Sequence, residues 1–325
     1  MTASAAAATR QAHSIPTVGG RAVTDLSAGF GGVVWLAAAV VGPLGVVERA
    51  LALAPLVLVP LGVGMAGHAR FDGLAGRCYR GAVWLQPVGA VLFTASLLAT
   101  DGPTAGTLAV PWLVVTGLLG LAALLRTVDR GGFALPETAV DTGLAYVSVG
   151  AVALLLYHLD ITFWFGPTII LLTAVHFHYA GFTLPVITGL TGRSRDAQPS
   201  TLFRILVGVI LAGPAIIAVG ISFSPLVEVV AVGGLAVAVA MFGWHVLFSV
   251  APTRPRRQAV LLAASAVALP ASMALALGYG VATFSGIDLG LDIATMVRLH
   301  GSLNAFGFAL GGLVGWRVAV PEGGA

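Results

Sequence analysis

The feature that most constrains this chain is a long apolar run that keeps recurring. A helix needs about 20 apolar residues to cross a hydrocarbon core of about 30 Å. Runs of that kind lie near 28–47, 50–68, 81–99, 107–125, 138–158, 165–187, 202–222, 226–248, 258–280 and 294–316. Of the 325 residues, 58% are hydrophobic and 9% are charged, where a soluble domain carries about 25% charged residues. That is too little polar surface to face water on all sides, whereas helices satisfy their own backbone groups in lipid. The expected fold is therefore an all-α polytopic helix bundle of about ten spans. The transmembrane domain covers 28–317, between a disordered cytoplasmic tail (1–27) and a short C-terminal tail (318–325). The first 27 residues have no apolar core behind a basic start, so they do not read as a cleavable signal peptide. No soluble domain is expected on either side.

The arginines test this count. All 16 basic residues are Arg and none is Lys. Cytoplasmic loops hold the excess of basic residues. With the N-terminus inside, the inner segments carry Arg10 and Arg21; Arg70, Arg77 and Arg80; Arg126 and Arg130; Arg193, Arg195 and Arg204; Arg254, Arg256 and Arg257; and Arg317. Only Arg49 and Arg298 remain for the other side, beside Glu48, Asp101, Asp160, Glu228, Asp288 and Asp292. An odd number of spans would scramble this alternation. Both termini are expected on the cytoplasmic face of the cell (plasma) membrane, with Glu48 and Arg49 marking the turn between the first two spans.

Several function classes drop out. The arginines are scattered through short loops rather than gathered into one stripe, so no nucleic-acid partner is implied. The single cysteine, Cys78, excludes an intramolecular disulfide, a CxxC pair and a Cys-based zinc site. No Walker loop, zincin helix or serine nucleophile elbow is present. No internal repeat is visible, so nothing points to an inverted-repeat transporter.

Polar groups inside hydrocarbon are the functional candidates that remain. The sixth span carries His176-Phe177-His178-Tyr179 near its middle. At about 100° per residue the two histidines point roughly 200° apart, so they meet different neighbours. The tenth span carries His300, Asn304, Gly307 and Gly311 on one face, a polar and small stripe suited to an interhelical hydrogen-bond seam or a ligand. Toward the outer surface, Tyr157, His158 and Asp160 end the fifth span, Glu228 opens the eighth and Arg298 begins the tenth. His158 and Asp160 are placed to pair, or to lie solvated at the membrane edge. Glu137 and Asp141, at the inner start of the fifth span, read as solvated carboxylates favoured by the helix dipole. Trp84, beside Gln86, and Trp244, beside His245, read as interfacial anchors.

The segments HFHYAGF (176–182) and RLHGSLNAFGFALGGLVGW (298–316), in a chain of this kind, resemble the YndJ-like family of bacterial and archaeal multi-pass membrane proteins. The resemblance covers most of the chain after the N-terminal tail; it implies the bundle and assigns no substrate. Locally, His176-Phe177-His178-Tyr179 is similar to the helix of haem–copper oxidase catalytic subunits in which two histidines ligate two haems on opposite faces. His300-Gly301 is similar to their second low-spin ligand. That analogy implies His178 and His300 as axial ligands of one haem, with His176 facing another. The adjacent His-His pair and the His-Pro-Glu-Val-Tyr segment of the copper site are missing.

Two functions follow as expectations. One is a non-enzymatic, transporter-like protein with an intramembrane polar site of His176, His178, Tyr179, His300 and Asn304. The other is a haem-binding redox or sensor protein using His176, His178 and His300.

Overall fold

Gly42-Pro43-Leu44-Gly45 ends the first apolar run, because proline has no N–H to continue the helical ladder. In the computed structural model, which describes residues 15–194 and 199–323, this break separates α1 (Val23–Val41) from α2 (Val46–Ala66). Glu48 and Arg49 therefore do not form the turn. They lie in the first stretch of α2, where an acidic side chain suits the positive end of the helix dipole. Of the tail placed at 1–27, residues 1–14 lie outside the described residues, as does Arg195. Thr17–Val18 (β1) pairs antiparallel with Arg21–Ala22 (β2) around Gly19 and Gly20, both at positive φ. The first helix follows at once, ahead of residue 28.

The remaining spans are α3 (Gly73–Leu98), α4 (Pro103–Asp129), α5 (Leu135–His158), α6 (Pro167–Arg193), α7 (Thr201–Phe223), α8 (Pro225–Thr253) and α9 (Arg256–Ser285). Among the described residues these make 9 helices long and apolar enough to cross a membrane. A tenth helical stretch, α10, runs over residues 293–318. Asp292 caps it, its carboxylate accepting from the Thr295 N–H at 2.7 Å. Hydrogen bonds from the Thr295 side chain and then from its backbone N–H hold the Asp292 carboxyl below its ordinary value. Arg298, His300, Ser302 and Asn304 make the first half of α10 polar.

The chain divides into two compact units, Met1–Arg193 with Val320–Ala325, and Ser194–Ala319. In the first, α3, α4, α5 and α6 pack in chain order, with α2 against α1, α3 and α6. Helix α2 is the core: 72% of its apolar stretch is buried, against 28% for α1. Helices α1 and α2 cross so closely that a Cβ at Gly31 would overlap the carbonyl of Leu56. After α10 the chain returns to the first unit, where the Gly323 N–H donates to the His68 carbonyl and Glu322 lies 3.6 Å from His68. In the second unit α7, α8, α9 and α10 pack in sequence.

Wide π-helical turns interrupt several spans: Ala54–Leu58, Phe177–Thr183, Val246–Val250, Val297–Gly301 and Leu303–Leu310. Such turns re-route carbonyls that then need other donors. In α2 one of these goes to Gln86, whose Nε2 donates to the Pro55 carbonyl at 2.8 Å. In α10 another goes to Ser265, whose hydroxyl donates to Phe308 at 2.8 Å. Both histidine motifs singled out in the sequence lie on such turns.

Candidate functional site

His178 is fully buried in the first unit. Its Nδ1 lies 2.7 Å from the Ala174 carbonyl, and the indole N–H of Trp112 on α4 donates to its Nε2 at 3.0 Å. A carbonyl only accepts and an indole N–H only donates. The ring is therefore the neutral tautomer with its proton on Nδ1. Phe93 of α3 packs against both rings, at centroid distances of 5.7 and 5.8 Å. Gly150 of α5 makes room: a Cβ there would lie 2.5 Å from His178 Nδ1. Next to it, the Tyr179 hydroxyl donates to the Ala50 carbonyl at 2.7 Å and ties α6 to the start of α2. His176 points the other way and is exposed, with Nδ1 2.7 Å from the Leu172 carbonyl.

His300 and Asn304 come together in the second unit with a residue that the sequence did not single out, Ser272 of α9. His300 Nδ1 lies 2.9 Å from both the carbonyl and the hydroxyl oxygen of Ser272. The Ser272 hydroxyl also donates to the His300 carbonyl at 3.2 Å. The Asn304 amide donates to the Ser272 hydroxyl at 2.7 Å and to His300 Nε2 at 3.1 Å. This is a closed ring of polar groups, with His300 and Asn304 half-buried. The five residues expected from the sequence to form one site are thus divided: His176, His178 and Tyr179 belong to one unit, His300 and Asn304 to the other.

Axial ligation of iron requires a free imidazole lone pair. On His178 that lone pair faces the Trp112 N–H, and on His300 it faces the Asn304 amide. As arranged, these histidines do not fit haem. Among the described residues, no group of three or more His, Cys, Asp and Glu is placed to hold a metal ion.

Two further clusters lie at opposite ends of α5. His158 is buried and pairs with Asp101, from the turn between α3 and α4, rather than with Asp160. Its Nδ1 is 2.7 Å from Asp101 Oδ1 and its Nε2 is 3.1 Å from Ser96 Oγ. Asp160 lies past the helix end at φ 55° and is exposed. The order Ser96–His158–Asp101 matches a nucleophile–base–acid relay. However, Ser96 is wholly buried and its hydroxyl donates to the Phe93 carbonyl at 2.7 Å, so no substrate can reach it. Glu228 is half-buried at the start of α8, and Arg298 is exposed.

At the other end, Glu137 and Asp141 are not solvated. They are 3% and 4% exposed, within a network of three arginines. Arg193, from the end of α6, grips Glu137 with two bonds of 2.7 Å and donates to the Met65 carbonyl at 3.0 Å. Arg126 Nε donates to Asp141 at 2.8 Å, and Arg130 and Thr127 each reach its other oxygen at 3.0 Å. Arg126 Nη1 lies 3.1 Å from Glu137 without hydrogen-bond alignment, and its guanidinium covers the Phe71 ring at 4.4 Å. The spacing carries a signal for this cluster. Arg126 and Arg130 are one turn apart, a short loop follows, and Glu137 and Asp141 are one turn apart on the antiparallel neighbour.

A family model described as YndJ-like protein matches residues 49–308. Among curated proteins, the chain is 35% identical over 240 residues to one from Bacillus subtilis (strain 168) named as uncharacterized membrane protein YndJ. The match covers 73% of this chain and 42% of that relative, so the chain spans less than half of the relative's length. No solved structure matches. The long matched segment, the multi-pass helical fold and the identity to this relative together place the chain in the YndJ-like family of membrane proteins.

Proposed function

We propose that this chain is a non-enzymatic, transport-type protein of the plasma membrane, with His300, Asn304 and Ser272 as its solute- or proton-handling group. The observation that supports this is the closed polar ring between α9 and α10, half-buried within helices that are otherwise apolar. Polar groups at such depth face a bundle interior or a water-filled path. The ring also has a second arrangement available. With His300 neutral, Nε2 accepts from Asn304. A proton arriving at Nε2 sets donor against donor, and turning the Asn304 amide to present its oxygen relieves the conflict. That turn removes the bond that Asn304 donates to the Ser272 hydroxyl, so protonation and the α9–α10 contact are linked. His178 and Tyr179 act as packing and anchoring groups in this reading, and His176 lies on the outer face of the first unit.

The test is reconstitution of the full chain into vesicles holding a pH-reporting dye. The expected result is a proton or cation flux above that of empty vesicles, lost in His300→Ala and Asn304→Ala while both variants insert and unfold like the parent. Flux equal to that of empty vesicles, or unchanged in both variants, defeats the proposal. Haem ligation is the weaker reading, because His178 and His300, the pair implied for one haem beside His176, spend their ring nitrogens on protein partners. A Soret band in protein from a haem-replete host, abolished by His178→Ala, would reverse that order. Both termini on the cytoplasmic side is the orientation supported by the arginine alternation.

A further inference from the structure

The second unit has an open groove of about 400 Å³ between the start of α7 and the end of α8. Its walls are apolar, with Leu202, Leu206 and Met241 contributing, and its polar corner holds Ser200, His245 and Ser249. Trp244 stands at its edge, 69% exposed, with its ring 4.2 Å from that of Phe248. Among the described residues of this unit, most arginines lie at one end and the carboxylates at the other, where Arg298 is the exception. Arg204, Arg256 and Arg257 are exposed at the end of the unit where α7 and α9 begin and α8 finishes. The described carboxylates of the unit, Glu228, Asp288 and Asp292, lie at the start of α8 and after the end of α9, the opposite ends of those helices.

We infer that this groove is a binding site for an anionic phospholipid. One acyl chain lies along Leu206 and Met241, the glycerol region meets Ser200, His245 and Ser249, and the phosphate faces the arginine end. Apolar walls alone would accept any lipid tail. That end, which among the described residues carries arginines and no carboxylate, selects among headgroups, because each arginine near a membrane surface adds attraction for anionic lipid. His245 and Ser249, about one helical turn apart on α8, line the same opening.

Brominated phospholipids quench tryptophan on contact, and the difference between the parent and Trp244→Phe isolates the signal of Trp244. The full chain is reconstituted in phosphatidylcholine vesicles containing a small fraction of brominated phosphatidylglycerol or, separately, of brominated phosphatidylcholine. The expected result is saturable quenching of Trp244 by the brominated phosphatidylglycerol at fractions where the phosphatidylcholine probe has little effect. Arg256→Gln and Arg257→Gln, both on exposed positions, should each weaken that preference about fivefold. Ala240→Phe, which fills the groove, should abolish saturation. Equal quenching by the two probes means ordinary bulk lipid and overturns the inference. So does a preference untouched by both arginine variants.

Discussion

Replacing Trp112 with Phe keeps an aromatic ring beside His178 but removes the indole N–H that reaches its Nε2. The acceptor is then stranded in the interior of the first unit, at a cost of about 1–3 kcal/mol. The measurement is thermal unfolding in detergent: Trp112→Phe should melt clearly below the parent, while Trp84→Phe, at an exposed position, should not. Gly150→Ala should be at least as harmful, since its methyl would meet the His178 ring. The sequence marks His178 as unusual and correctly separates its direction from that of His176. It does not reveal Trp112, 66 residues away in the chain, because hydrophobic periodicity describes one helix at a time and carries no information on which helices become neighbours. Asp160 illustrates the same gap. It follows His158 closely in sequence, yet the backbone turns to φ 55° there and carries it off, leaving Asp101 as the partner.

Between elements, the firmest joint is the arginine–carboxylate network linking the ends of α4 and α6 to the start of α5. Glu137→Ala would leave Arg193 buried without its counter-charge, a loss of about 3–5 kcal/mol. Asp129→Ala, on the exposed side of α4, should stay within about 0.5 kcal/mol. Chemical unfolding of the two variants side by side separates these outcomes. Reading Glu137 and Asp141 as solvated follows from their place beside a loop. Their burial depends on Arg193, brought from the far end of α6, a contact no local pattern contains. At the opposite end of α5, Asp101→Asn should loosen the turn between α3 and α4, seen as faster proteolysis or amide exchange at residues 99–102. The helices themselves were legible because each needs only its own run of apolar residues; the joints were not, because each needs two runs at once.

For the whole molecule, the proposed orientation predicts a simple pattern. A fluorescent protein fused after Val320 should fold and fluoresce on the cytoplasmic side, while a periplasm-active phosphatase fused there should be inactive. The same phosphatase placed in the turn 99–102 should be active. Reversal of both results would invert the assigned topology, and agreement at only one site would change the number of spans between them. The division into two units was not visible in the sequence, where all ten runs look alike. What differs is how the runs are used. Helix α2 is largely enclosed by protein, whereas α7 shows most of its apolar surface to the outside.

The polarity of α10 also bears on how the protein is made. Each span leaves the translocation channel in turn and must choose between lipid and water, and Arg298, His300 and Asn304 argue against lipid for α10 taken by itself. Helix α9, already in place, offers the Ser272 hydroxyl and carbonyl that take up His300 and Asn304. Helix α10 is therefore expected to enter the bilayer as the second arm of a hairpin with α9. Glycosylation mapping of α10 alone and of the α9–α10 pair should find efficient insertion only for the pair, and Ser272→Ala should reduce it.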